Sequence, residues 1–269
     1  MGDSEPKGRV LIIAGSDSGG GAGIQADIKS VTAMGGFAAT AITAITVQNT
    51  LGVSAIHPVP LDIIKGQIEA VLSDIGADVI KTGMLGTREI VALVAHCLEA
   101  CETPIPLVLD PVMVATSGDA LVDVGAEAAI RDRLLPMATL VTPNIPEAEK
   151  LTGLVVEDIA GQLAAANRLI EMGARAALVK GGHLKGQAVT DVLVSTRGME
   201  LFDRPRLPGR NTHGTGCTLA SAIAGLLADG APLHDAVRRA GDYLHEAIAR
   251  APGFGAGHGP VNHAWVTRP

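Results

Sequence analysis

The feature that most narrows what this chain can fold into is an alternation kept up from end to end. Short aliphatic runs are each followed by a segment of helical periodicity. The runs at 9–14, 37–46, 78–82, 106–110, 139–142 and 176–181 are predominantly apolar rather than alternating. A strand covered on one face alternates, whereas a strand covered on both does not, so these read as buried strands of a parallel sheet. Between them, Ile64, Ile68, Val71, Leu72 and Ile75 recur at helical spacing. So do Ile159, Leu163, Ala166 and Ile170, behind an acidic first turn at Glu157 and Asp158. Leu219, Ile223, Leu226 and Leu227 mark another helix, and 236–248 the last. The expected fold is α/β, a mostly parallel central sheet with helices on both faces.

No Pro/Ser linker, charge run or internal repeat divides the chain, so 1–269 reads as one domain. The stretch 191–210 differs: two short β-like pieces, 191–195 and 199–202, lead into a turn-rich, partly basic segment. That pattern suits a small β-flap or lid edge. At 47% hydrophobic residues the chain can bury a large core, and with one Trp, one Tyr and three Phe that core must be aliphatic. The same scarcity removes the stacking platforms an RNA or single-stranded DNA surface needs. A net charge of −7 rules against a broad footprint on nucleic-acid phosphates. Any anion site must therefore be local, built from backbone N–H groups and a few lysines. No apolar run approaches the 18 residues of a membrane span. Three cysteines are too few for a disulfide framework, and Cys97 and Cys101, four apart, read as core packing. The expectation is a soluble, cytoplasmic protein.

Ligands of open α/β sheets sit beyond the carboxyl ends of the strands, and the chemistry-bearing residues cluster there. The first run ends in a glycine-dense turn, 15–23, that opens a helix. Such a turn lets backbone approach a ligand closely, but it is neither a dinucleotide fingerprint nor a Walker A sequence, and alone it is a weak signal. At 211–218, Gly214 and Gly216 free the backbone around Thr215, and Cys217 falls in the first turn of the next helix. The N–H groups there can form an anion hole for a phosphoryl group in transfer. A thiol at a helix N-terminus is expected to have a depressed pKa and to serve as base or nucleophile, although an isolated cysteine is more often a small core residue. Asp110 ends one strand and Glu147 follows another, and two carboxylates at adjacent strand ends can hold Mg²⁺. Lys180 leaves a buried strand into paired glycines, a placement suited to phosphate. His258 and His263 have no metal-ligand pattern around them.

Taken together, these residues resemble the hydroxymethylpyrimidine/phosphomethylpyrimidine kinases of thiamine biosynthesis, within the ribokinase-like superfamily. The resemblance is carried by AGSDSGGGAGIQAD (14–27), VQNTLGV (47–53), KTGML (81–85), LDPVMVATSGD (109–119), TPNIPEAE (142–149), VKGGHL (179–184), NTHGTGCTL (211–219) and GHGPVNH (257–263). It implies a ribokinase-like fold and ATP-dependent phosphorylation of 4-amino-5-hydroxymethyl-2-methylpyrimidine, then of its monophosphate. By motif it places Gly15, Ala22, Asp27, Gln48, Met84 and Val112 in the pyrimidine pocket. Gly214, Gly216 and Cys217 fall at the anion hole and catalytic position, with the Cys217 thiolate as base. Asp110 and Glu147 match the Mg²⁺ residues, and Asn144, Lys180, His213 and Thr215 the nucleotide contacts. The resemblance also implies a homodimer and leaves a monovalent-cation requirement open.

Two positions depart from the pattern: Thr116 and Gly241 stand where relatives commonly carry lysine. The expectation is heavier reliance on Lys180, Mg²⁺ and the glycine-flanked backbone. The alternatives are a vitamin B6 kinase of the same superfamily and a non-catalytic pyrimidine sensor. The sensor would be expected to lack Cys217, Asp110 or the Gly214–Gly216 turn. An NAD-dependent dehydrogenase fits less well, for want of its fingerprint.

Overall fold

A computed structural model describes residues 8–114, 118, 121 and 123–267; Thr116 lies outside them. The strands are β1 (Arg9–Ser16), β2 (Phe37–Asn49), β3 (Gly52–Pro58), β4 (Val79–Thr82), β5 (Leu107–Leu109), β6 (Leu140–Val141), β7 (Ala177–Val179), β8 (Ala188–Ser195) and β9 (Gly198–Pro205). Among the described residues they form one sheet in the order β3-β2-β1-β4-β5-β6-β7-β8-β9. The six strands from β2 to β7 in that order pair in parallel, and β3, β8 and β9 pair antiparallel at the edges.

All six apolar runs are therefore strands of the parallel centre. The two β-like pieces are β8 and β9, longer than the sequence suggests and joined to the main sheet. Burial of Val192, Leu193 and Val194 explains why they do not stand apart. The protruding flap is instead the β2–β3 hairpin, exposed along most of β3.

The helices are α1 (Gly23–Ala33), α2 (Leu61–Ala70), α3 (Arg88–Glu99), α4 (Val124–Ala129), α5 (Ile145–Thr152), α6 (Ile159–Glu171), α7 (Thr215–Ala228) and α8 (Leu233–Ala249). The period-2 side-chain alternation of β1 sorts them. Val10, Ile12 and Ala14 pack with α1, α7 and α8, while Leu11 and Ile13 pack with α2, α3, α5 and α6 on the other face. Both sets are fully buried, which is why β1 reads as an unbroken apolar run. The core is aliphatic as composition requires, with Phe202 and Tyr243 its buried aromatics. Cys97 belongs to this core on α3, and Cys101 lies just past the helix end. Asp158 caps α6 by accepting from the Gly161 N–H at 2.8 Å.

The chain leaves β1 toward β2 on one side and returns to β4 on the other. That reversal opens a crevice at the carboxyl ends of β1 and β4. At its floor the Gly15 N–H donates to the Met84 carbonyl at 3.1 Å.

Candidate active site

The crevice is a cavity of about 650 Å³. It gathers Gly15, Ala22, Gln48, Met84, Val112, Asp110, Asn144, Glu147, Lys180, His213, Gly214, Thr215, Gly216 and Cys217, every expected site residue except Asp27.

The glycine turn after β1 is organised by a residue the sequence reading did not single out. Asp17 accepts from the Gly19 N–H (2.8 Å), the Gly21 N–H (3.0 Å) and the Ala22 N–H (2.8 Å). It also pairs with His213 Nε2 at 2.8 Å. Burial opposes its charge, yet the bonds from His213, Ala22 and Gly19 outweigh it and hold the carboxyl below its usual pKa. Asp17 thereby fastens the turn to the loop before α7. The fit is close: a Cβ on Gly214, whose φ is +77°, would overlap the Gly21 carbonyl. Only glycine satisfies both the left-handed backbone and that approach.

Gly214 is the N-cap of α7, and no side chain caps this end. The first-turn N–H groups of Gly216 and Cys217 therefore face the cavity without a helical partner. A Cβ on Gly216 would come within 3.2 Å of Lys180 Nζ and 3.8 Å of Asp110 Oδ2, so its absence keeps space between the helix end and those charges. Unpartnered N–H groups at a helix N-terminus with a lysine beside them have the chemistry of an anion site. Burial opposes the Lys180 charge, but Asp110 and Glu147 more than offset it and raise its pKa.

The expectation of a depressed Cys217 thiol is overturned. Burial pushes it up to about 12, and Asp27 and Asp110 add to the rise against the opposing Lys81 charge and Gly23 N–H. The helix end alone does not outweigh desolvation here, and the resting group is a neutral thiol.

Asp110 Oδ1 accepts from Lys180 Nζ at 3.1 Å and from Thr142 Oγ1 at 3.2 Å, while its buried Oδ2 has no hydrogen-bond partner. Glu147 and Asn144 form a reciprocal capping box on α5. Burial, reinforced by Asp110, pushes the Glu147 carboxyl up to about 7 against the pull of Lys180. An unpartnered oxygen and a carboxylate short of positive charge fit a divalent cation. Among the described residues no cluster of three His, Cys, Asp or Glu could hold one. Two carboxylates suit Mg²⁺, which keeps waters and takes phosphate oxygens as further ligands.

On the other side of the α7 N-terminus, Met84 and Val112 line an apolar wall and Gln48 borders it. Gln48 is fixed by its backbone: its N–H donates to Ser18 Oγ at 2.8 Å, and that hydroxyl donates to its carbonyl at 2.7 Å. Asp27 does not belong to this wall. It is wholly buried on the inner face of α1, accepting from Lys81 Nζ at 2.8 Å and Ser221 Oγ at 2.6 Å. The reason is charge: Lys81 points out of the all-buried β4 and needs a carboxylate beside it. A lysine inside the run 78–82 was the available signal, and it was missed.

Gly241 lies on the cavity side of α8, as its motif position implies. It is not bare. A Cβ there would overlap the guanidinium of Arg204, which lies across it from β9.

The chain matches the family model described as phosphomethylpyrimidine kinase over residues 17–262. A hydroxymethylpyrimidine/phosphomethylpyrimidine kinase of Rhizobium meliloti is 48% identical over 257 residues, 94% of this chain and 96% of that protein. The thiamine biosynthesis bifunctional protein ThiED of Geobacter sulfurreducens is 52% identical over 96% of this chain, which spans 52% of that longer protein. Among solved structures, the phosphomethylpyrimidine kinase of Clostridium difficile 630 superimposes with a TM-score of 0.80 at 40% identity, covering 90% of this chain and 100% of that one. The pyridoxal kinase of Staphylococcus aureus in complex with pyridoxal gives 0.89 at 35% identity, covering 97% and 95%. The crevice at the β1–β4 reversal, the uncapped end of α7 beside Lys180 and these likenesses agree: the chain belongs to the phosphomethylpyrimidine kinase family, on a ribokinase-like fold.

Proposed function

We propose that this kinase phosphorylates 4-amino-5-hydroxymethyl-2-methylpyrimidine and then its monophosphate with ATP, using the crevice residues as follows. The observation that carries the assignment is one continuous cavity running from Gln48 and Met84, past the Gly214–Cys217 anion hole, to Lys180. Gln48 offers a donor and an acceptor to the aminopyrimidine edge, and Met84 and Val112 cover the ring face. Gly15 and Ala22 let the glycine turn close on the ring. In the first reaction the hydroxymethyl oxygen, and in the second a phosphate oxygen of the monophosphate, attacks the γ-phosphorus; the bond to the β–γ bridging oxygen breaks, and ADP leaves. Gly216 and Cys217 N–H groups and Lys180 take up charge on the transferred group.

The alcohol proton passes to Sγ of the Cys217 thiolate, the minor form of a group that rests mostly as the thiol, and the resulting thiol gives that proton up to solvent before the next turnover. Lys81, whose charge already acts on that sulfur, supports the thiolate. Asn144, His213 and Thr215 frame the phosphate path. Mg²⁺ held by Asp110 and Glu147 would neutralise charge on the nucleotide phosphates.

Turnover of the free pyrimidine with ATP and Mg²⁺, following mono- and diphosphate products, tests this reading. A second substrate class is favoured by the likeness to pyridoxal kinases, so pyridoxal is assayed in parallel. A higher kcat/KM for pyridoxal would reverse the assignment.

The same proposal has the enzyme working in the cytoplasm as a homodimer. Among the described residues, no helix is long and apolar enough to cross a membrane. Ile45 (52% exposed) and Val47 (59%) share the outer face of β2 opposite His57 and Ala55, an apolar strip on a protruding hairpin. Sedimentation of Ile45→Asp/Val47→Asp should show a monomer where the unaltered chain gives a dimer.

A further inference from the structure

Lys150, Lys180, Arg204 and Arg206 are the lysines and arginines bordering the cavity. The roles of three of them are already set. Lys150 pairs with Glu127 at 2.7 Å, and Lys180 pairs with Asp110 beside the anion hole. Arg206 spends its guanidinium on the carbonyls of Gly186, Gly182 and Leu184, at 2.5–2.9 Å. That pins the 182–186 turn and leaves little for a ligand.

Arg204 differs. Its Nε and Nη2 lie 3.2 and 3.0 Å from Asp242 Oδ1, and Nη2 also donates to the Arg238 carbonyl at 2.9 Å. Its Nη1 has no hydrogen-bond partner among the described residues. The guanidinium lies flat on Gly241, where any side chain would displace it. Glycine in a helix interior is unfavourable relative to alanine, so α8 gives up helical stability where the arginine is received. The Asp242 side chain is 62% exposed, so its pairing leaves the arginine's charge only weakly compensated. The cavity continues past Arg204 to Leu207, Leu244 and Ile248, an apolar wall suited to a flat base. Asp191 accepts from the Gly181 N–H at 2.9 Å, beside Lys180, and stands opposite Phe202 on β9, two residues from Arg204, so both cations border the same half of the cavity.

We propose that Arg204, seated on Gly241, binds the polyphosphate of the nucleotide through Nη1, between the anion hole and the apolar wall. This rests on the nucleotide lying in the Lys180 half of the cavity.

Calorimetry with ADP and with adenosine tests it, alongside KM for the pyrimidine. Arg204→Met should weaken ADP roughly 10- to 100-fold, the usual worth of a charge-assisted hydrogen bond. Adenosine affinity and the pyrimidine KM should stay unchanged. Gly241→Ala should weaken ADP in the same direction by displacing the guanidinium, and it tests the idea even if Arg204→Met folds poorly. Asp242→Asn should keep ADP affinity, because the guanidinium remains. If Lys180→Met weakens ADP while Arg204→Met and Gly241→Ala do not, Arg204 merely ties β9 to α8 and the proposal is overturned. If none of the three affects ADP, the nucleotide lies elsewhere and the underlying reading fails with it.

Discussion

Lys81 Nζ donates to Asp27 Oδ1 at 2.8 Å, and neither side chain reaches solvent. Breaking such a pair leaves one buried charge alone, which costs about 3–5 kcal/mol, whereas replacing both partners with apolar groups is often neutral. Lys81→Met should therefore lower stability by about that amount, and Asp27→Leu/Lys81→Met should recover most of it in urea unfolding. Recovered stability should not bring back activity, because the charge behind Cys217 is gone. A double variant with full kcat would show that the pair only fills space.

Much of the fold was legible because burial on both sides of the sheet writes itself as unbroken apolar runs. β3 was not legible, since its residues are mostly exposed and carry no core signal. The crevice residues were found because glycines and strand-end carboxylates repeat a known pattern. What other residues do was not legible from that pattern. Asp17 sits in a glycine turn, where an aspartate ordinarily faces water, and its N–H partners appear only once the turn closes. Asp27 looks like a ligand residue until Lys81 is seen to require it. Arg204 and Gly241 meet across two elements distant in sequence, and nothing local to either predicts the contact.

Cys217→Ala should fold normally and lose roughly 10²–10⁴-fold in kcat, the usual worth of general-base assistance. Because the thiol's pKa is pushed up to about 12, its thiolate fraction grows about tenfold per pH unit across the neutral range. The kcat of the unaltered enzyme should rise between pH 8 and 9, above the range in which Glu147 titrates, and the alanine variant should be flat there. Matching profiles would remove the base role and leave catalysis to the anion hole.

Gln48→Leu and Asp110→Asn should separate the two halves of the crevice. The first leaves a ring edge unpaired and should weaken pyrimidine binding by about 1–3 kcal/mol, with KM for ATP unchanged. The second removes charge from the metal side of the crevice, so Mg²⁺-dependent turnover should fall while calorimetric pyrimidine affinity without nucleotide stays. The opposite pattern would exchange the two sites.

His263 gives the fold an acid-sensitive support beneath the anion hole. Its Nε2 lies 2.9 Å from Thr218 Oγ1, which in turn donates to the Gly214 carbonyl at 2.8 Å. The hydroxyl has one proton and spends it on that carbonyl, so the imidazole is the donor and carries its hydrogen on Nε2. Burial, with the Lys29 charge adding to it, holds the His263 pKa down to about 4 from an ordinary 6.5. Above pH 6.5 the imidazole is neutral in both folded and unfolded chains, and the native bond is intact. As pH falls below 6.5 the unfolded chain takes up the proton first, so stability declines until the folded group also titrates near 4. A shift of that size corresponds to about 3 kcal/mol. His263→Gln keeps a donor but cannot titrate. Its urea midpoint should lose less than that of the unaltered chain between pH 7 and 4.5, with the two curves parting below pH 6.5. Curves that stay parallel through that range would place the acid sensitivity in other groups and leave His263 as a neutral spacer under Thr218.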